Sequence, residues 1–152
     1  MNESQIILVN EFDEVLGTME KMETHYKALL HRAISVFVFN SKGEWLLQRR
    51  NIDKYHSRGL WSNTCCGHTF PNEPNINAAH SRLKEEMGMQ CDLKEIFSFQ
   101  YKEQLDNKLT ENELDHAFCE ITDQLPLVDP NEVMEWRYIS FKVLFFLMFC
   151  WK

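Results

Sequence analysis

The sequence predicts a single α+β domain, a mixed sheet flanked by helices. Two observations carry this expectation. Short β-branched and aromatic runs recur along the chain, bounded by Asn, Gly and Pro, and one charged segment places its apolar residues at helical spacing. A length of 152 residues suits one domain with a core of its own.

Taken in order, Ile6 to Val9 reads as a short apolar strand, followed by a turn-like stretch from Asn10 to Gly17. Ser35-Val36-Phe37-Val38-Phe39 stops at Asn40-Ser41-Lys42-Gly43 and resumes as Trp45-Leu46-Leu47-Gln48, the pattern of a hairpin. These make an N-terminal strand and hairpin added to the main sheet. Between Asn77 and Met87, Ala79, Leu83 and Met87 recur at spacings of four with Ala78 beside the first, and Gly88 stands where a helix would stop. Ile96 to Lys102 and Leu114 to Ile121 are further strands, Pro126 to Pro130 is a loop, and Trp136 to Ile139 closes the sheet. With no repeat, linker or low-complexity tract, residues 1–140 form one domain. The atypical apolar tail, 141–152, holds nine consecutive apolar residues from Val143 to Trp151. A membrane helix needs about 20, so a buried or altered tail is expected instead of a membrane span.

Hydrophobic residues at 44% and charged residues at 26% are ordinary for a globular protein. A formal net charge of -7 argues against nucleic acid or an anionic membrane as partner, since both select basic surfaces. An anionic small molecule would therefore have to meet a local basic patch. Met1-Asn2-Glu3-Ser4 opens without a basic or long apolar stretch, which points to a cytoplasmic protein. The five cysteines, Cys65, Cys66, Cys91, Cys119 and Cys150, form an odd set with no CxxC, as expected of free thiols in a reducing compartment.

Chemistry concentrates in two blocks. In Glu111-Asn112-Glu113-Leu114-Asp115-His116, Glu111 and Glu113 sit two apart at the start of a strand and point to one face. At ~4 Å in a partly buried site two such charges repel by a few kcal/mol, so the pair attracts a cation. His25 and His31 precede the Ser35 strand, and His68 ends Trp61-Ser62-Asn63-Thr64-Cys65-Cys66-Gly67-His68. Three imidazoles with two carboxylates make a mixed donor set suited to a divalent metal with one open position. His56, His80 and His116 read as surface or hydrogen-bonded residues instead. Cys66 beside Gly67 can expose its sulfur on a tight turn, where a nearby cation would lower its pKa from about 8.5. Cys65, facing the opposite way on an extended chain, reads as structural.

Gly67, five residues, Glu73, seven residues and then Ser81-Arg82-Leu83-Lys84-Glu85-Glu86-Met87-Gly88-Met89 resembles the Nudix box. Ser81 and Arg82 stand where the hydrolases of that family carry Arg and Glu. That loss removes one of the carboxylates that activate water, and leaves a cation suited to holding phosphate. The fold implied is a Nudix-like mixed sheet. The two blocks above further resemble type I isopentenyl diphosphate isomerase, from about Ile6 to Tyr138. The resemblance implies an isomerase that interconverts isopentenyl and dimethylallyl diphosphate in isoprenoid biosynthesis. The alternatives are a Nudix diphosphate hydrolase and a non-catalytic diphosphate-binding protein.

For the site, the resemblance implies a divalent metal (Mn, Mg or Zn) on His25, His31, His68, Glu111 and Glu113, with Cys66 and Glu113 on opposite faces of the substrate and Tyr101 hydrogen-bonded nearby. It also implies phosphate contacts from Lys21, Arg50, Lys54 and Arg82, with Glu86 on a substrate-bound Mg²⁺. Trp61 is the aromatic ring placed to face a carbocation. In this scheme Glu113 holds metal with one oxygen and exchanges a proton with the other, while a Cys66 thiolate removes a proton. A monomer or homodimer is compatible with the pattern. Members of the family continue past Tyr138 with another tryptophan, and Trp151 is not in a matching context, so a less well closed pocket and reduced activity are expected.

Overall fold

A computed structural model describes residues 5–54 and 57–150. The chain opens with β1 (Gln5–Val9) and β2 (Val15–Glu20), an antiparallel pair, then α1 (Lys21–Tyr26). The strand β3 (His31–Phe39) follows, with β4 (Glu44–Arg50), β5 (Trp61–Ser62) and β6 (Cys65–His68). The helix α2 (Asn75–Met87) leads to β7 (Lys94–Gln104), β8 (Thr110–Ile121), β9 (Val133–Ser140) and α3 (Phe141–Cys150).

The strand β3 organises the sheet. It runs antiparallel to β6 along one edge and parallel to β8 along the other, with His31 opposite Glu113 and Ser35 opposite both Cys66 and Ala117. Side chains alternate across a strand, so its two faces serve different ends. Ile34, Val36 and Val38 point one way and are fully buried against Leu46, Phe118 and the Ala78, Ala79, Leu83 and Met87 face of α2. Burial of each large side chain contributes on the order of 1.5 to 3 kcal/mol, which makes this layer the main support of the fold. His31, Ala33 and Ser35 point the other way, as do their direct partners Cys66, His68, Glu113 and Asp115.

The helix α2 begins at Asn75, two residues earlier than the apolar spacing indicates, because Pro74 supplies an extended residue from which the helix can start. It ends at Gly88 in the left-handed conformation (φ 63°), where a Cβ would lie 2.2 Å from the Leu127 carbonyl oxygen. Only glycine satisfies both the backbone and that approach.

Three expectations are corrected, and one element had gone unread. The Ser35–Gln48 hairpin exists at its turn, but β3 and β4 pair only at Phe39 and Trp45 before diverging, and β4 takes β9 as its long partner. The turn after β1 is shorter than read, since Val15 to Gly17 already belong to β2. The six-residue α1 is too short to carry a helical period, and nothing in its composition announced it. Finally, the tail is helical but not buried over its described side chains, with Phe141, Val143 and Phe145 exposed by 57%, 49% and 64%. Trp151 and His56 lie outside the described residues. No helix among the described residues is long and apolar enough to cross a membrane.

Candidate active site and metal centre

Three histidines from three elements meet on the polar side of β3. His25 comes from α1, whose first turn is held by the Glu20 side chain accepting from the Glu23 amide; His31 opens β3, and His68 ends β6 opposite Ala33. Their ring centroids lie 4.9, 5.3 and 5.1 Å apart. His25 Nδ1 lies 2.6 Å from the Lys21 carbonyl and His31 Nδ1 lies 2.8 Å from the Leu29 carbonyl. A carbonyl only accepts, so each Nδ1 carries the proton and each Nε2 presents a lone pair. The Nε2 atoms of all three rings are buried without a hydrogen-bond partner. Glu113 Oε1 approaches two of them, at 3.5 Å from His31 and 3.3 Å from His68.

Two lone pairs, the unpartnered Nε2 of His68 and a carboxylate turned toward one point are left unsatisfied unless a cation lies between them. Ligand atoms of His25, His31, His68 and Glu113 all fall within 4.8 Å of one another, and hydrogen bonds to carbonyls behind the rings are the usual support of metal-binding imidazoles. The donor set therefore fits a divalent metal. Burial lowers the pKa of His25 and pushes that of His68 down to about 4, so these rings are neutral and competent as ligands at neutral pH. Burial raises the Glu113 carboxyl; protons on the facing His31 and His68 nitrogens, which stand in for a cation when none is bound, more than offset this and hold it below the usual carboxylate range.

Glu111, the fifth expected ligand, is outside that cluster. It joins the site through Tyr101, whose hydroxyl lies 2.9 Å from Glu111 Oε2 and 2.7 Å from Glu113 Oε2. Tyr101 is directly opposite Glu113 in the β7–β8 pairing, which fixes this contact. Burial followed by the two carboxylates pushes the phenol far above its ordinary pKa, and burial with Glu113 raises Glu111. Tyr101 is thus a permanent donor with one proton for two oxygens.

A cavity of about 330 Å³ opens beside this cluster, lined by Lys21, Arg50, Lys54, Trp61, Cys66, His68, Arg82, Glu86, Tyr101, Glu111 and Glu113. Cys66 reaches it while Cys65, one residue away, is wholly buried in the core, the division that strand alternation requires. Burial and then the Glu86 carboxylate push the Cys66 thiol up to about 12, with Arg50 acting weakly the other way. Desolvation thus acts against the basic wall and favours the thiol over the expected cation-lowered thiolate.

The wall itself is laced with ion pairs. Arg82 donates to Glu86 at 3.1 and 2.5 Å and to Glu85 at 2.9 Å, lying across Gly67, where a Cβ would come within 3.0 Å of its side chain. Glu86, 5% exposed, also accepts from Gln48 Nε2 at 2.6 Å. Lys54 pairs with Glu132. Trp61 is 37% exposed and has the Arg137 guanidinium 4.3 Å from its ring centre.

The structure adds residues that sequence reasoning passed over. Asp115 accepts from Ser35 Oγ at 2.6 Å, and burial pushes its carboxyl up to about 7 against that hydrogen bond. Its signal was present, as the third carboxylate in alternate positions of one strand. Gln48 and Glu132 had none, since they meet their partners only through strand pairing and loop docking. Of the histidines read as non-ligands, His116 lies 2.6 Å from Glu95, and both it and His80 are outside the metal-competent group.

This fold and site define a class: residues 29–149 match the NUDIX domain family. The folded chain is similar to a crystallised Deinococcus radiodurans protein, with a TM-score of 0.80 at 20% identity over 97% of this chain and 90% of that one. It is also similar to a MutT protein of Methanosarcina mazei, with a TM-score of 0.65 at 18% identity over 76% and 80% of the two chains. At such identities these likenesses speak for the fold alone. Sequence relatives are nearer. An isopentenyl-diphosphate Delta-isomerase of Pectobacterium atrosepticum is 50% identical over 90% of this chain and 76% of its own. Isopentenyl-diphosphate Delta-isomerase 2 of Aromatoleum aromaticum is 49% identical over 91% and 73%. The chain belongs to the isopentenyl-diphosphate Delta-isomerase family.

Proposed function

We propose that the chain interconverts isopentenyl diphosphate and dimethylallyl diphosphate, an allylic double-bond shift that serves isoprenoid biosynthesis. The observation that carries the reading is the placement of Cys66 and Glu113. Both point to one face of the sheet and line one cavity, on strands that flank β3 from its two sides. Moving a double bond in an unactivated alkene requires a proton delivered at the terminal methylene carbon and another removed from the carbon nearer the diphosphate. The intervening tertiary cation survives only where water is excluded.

In this reading Cys66, resting as a thiol, gives the proton, and Glu113, resting as a carboxylate, takes the other. Tyr101 orients Glu113 through its Oε2 and leaves Oε1 to the metal side. In the reverse direction the roles exchange. His25, His31, His68 and Glu113 would hold a divalent metal, Mn, Mg or Zn, with Glu111 as the fifth ligand at the edge of the set. Such a metal, when bound, fixes the Glu113 carboxylate and tunes its acidity. Lys21, Arg50, Lys54 and Arg82 face the diphosphate, and Glu86 would hold a Mg²⁺ that accompanies it. The Trp61 ring lies at the same wall, beside the cation. Four free cysteines among the described residues favour a cytoplasmic place of action.

The test is incubation with isopentenyl diphosphate and Mg²⁺ in D₂O. Allylic diphosphate carrying solvent deuterium, with no free phosphate, is expected. Release of phosphate without allylic product would replace this reading by a hydrolase, and neither product would leave a binding protein.

A further inference from the structure

The four cations of the cavity wall are not equivalent. Arg50 has no carboxylate within ion-pair distance among the described residues, and its Nε is buried without a hydrogen-bond partner. Lys54 is neutralised: its ammonium is paired with Glu132 Oε2, and Arg82 Nη2 lies 3.6 Å from that same oxygen. One carboxylate thus serves two cations of the wall without lining the cavity itself.

Glu132 is held there firmly. It precedes β9 at the end of the Pro126–Pro130 loop, and its backbone carbonyl accepts from the Asn51 amide at 2.9 Å. Asn51 Nδ2 in turn donates to the Pro130 carbonyl at 2.6 Å. The loop that carries Lys54 is therefore docked onto the segment that carries Glu132, and the carboxylate stays at a fixed place behind the wall.

We propose that Glu132 sets the strength of the headgroup site, as a counter-charge that weakens the hold of Lys54 and Arg82 on a diphosphate. The inference rests on the diphosphate reading above and deepens it. Substrate and product of that reaction carry the same headgroup, so headgroup affinity is uniform binding: it lowers KM without lowering the barrier, and in excess it slows product release. Without Glu132, Lys54 would join Arg50 as a cation with no carboxylate at ion-pair distance among the described residues, and Arg82 would keep only its helix partners Glu85 and Glu86, a wall in that excess. A fixed internal anion lowers its field without touching the reacting carbons.

The experiment compares wild type with E132Q, which removes the charge and keeps the shape. Inorganic pyrophosphate with Mg²⁺ is the calorimetric probe, and isopentenyl diphosphate turnover is followed in parallel. Binding of pyrophosphate is expected to tighten about three- to tenfold in E132Q, the scale of partly exposed ion pairs acting in concert, with KM falling by a similar factor and kcat not rising. E132D, which keeps the charge, should resemble wild type, and the gain of E132Q over its parent should shrink in the K54Q background to the part that acts through Arg82. If E132Q does not fold, single variants decide: R50Q should lose several times more pyrophosphate affinity than K54Q, whose cation is already compensated. Wild type that binds pyrophosphate while E132Q binds equally or more weakly, or K54Q losing as much as R50Q, overturns the inference alone. Wild type that does not bind pyrophosphate overturns the diphosphate reading and the inference with it.

Discussion

The two faces of β3 solve opposite problems with neighbouring residues. On the core face, Ile34, Val36 and Val38 are sealed, and the polar groups beside them are paired: Thr64 Oγ1 donates to the Leu46 carbonyl at 2.7 Å and accepts from the Val38 amide at 2.9 Å. On the other face, the Nε2 atoms of His25, His31 and His68 and Asp115 Oδ1 are buried without partners. A buried polar group without a partner costs roughly 1 to 3 kcal/mol. The site face is therefore a net cost that the core face offsets, and its open valences are complete only when ligands arrive. Stability and function can be separated along one strand.

The comparison predicts different losses on its two sides. Cys66→Ala should lower kcat by about 10² to 10⁴, the usual worth of a positioned acid or base, with an unfolding midpoint close to wild type. Full isomerase activity in that variant would remove Cys66 from the chemistry. Leu83→Ala on the core face should do the reverse, with ~2 to 5 kcal/mol lost in denaturant unfolding and kcat retained below the transition. An intermediate case is the metal: at ~100 times its dissociation constant, Mn²⁺ or Zn²⁺ should stabilise the metal-free protein by about 2.7 kcal/mol. Calorimetry should find that gain abolished in His25→Gln, and an unchanged gain would place the metal elsewhere.

The two faces also differed in how far the sequence disclosed them. The core face was legible because its signal is periodic: Ala78, Leu83 and Met87 on α2, and the alternation of β3 and β8, need only the repeat of each element. The Glu111–Glu113 pair and the Cys65/Cys66 division were legible for the same reason, since alternation on a strand decides which neighbours share a face. What alternation cannot give is distance between elements. His25, His31 and His68 meet because β3 takes β6 and β8 as neighbours, and only the family resemblance anticipated their meeting. The Cys66 thiolate was expected because charge is visible in a sequence and desolvation is not: Arg50 could be counted, whereas the partly buried setting that favours the thiol could not.

The smallest expected effect concerns protons on the site face. Burial lowers the pKa of His68 from its ordinary value to about 4. As pH falls below about 6.5 the unfolded chain therefore binds a proton that the folded, metal-free protein refuses. Stability contributed by the neutral ring is complete above the unfolded value and is lost as pH drops toward 4, the sign of an imidazole buried without its ligand. Asp115 acts oppositely, because its carboxyl is raised to about 7, so the folded state takes up a proton first and gains from acid in the same range. The two partly cancel in wild type, and the observable must be a difference. In urea unfolding of metal-free protein, the stability of wild type minus that of His68→Gln should decline between pH 6.5 and 4, whereas a difference that does not vary with pH would mean that His68 titrates alike in both states. Saturating metal should steepen the decline of wild type, since the bound ion occupies the lone pairs of His25, His31 and His68 and keeps the folded state from taking protons that the unfolded chain binds.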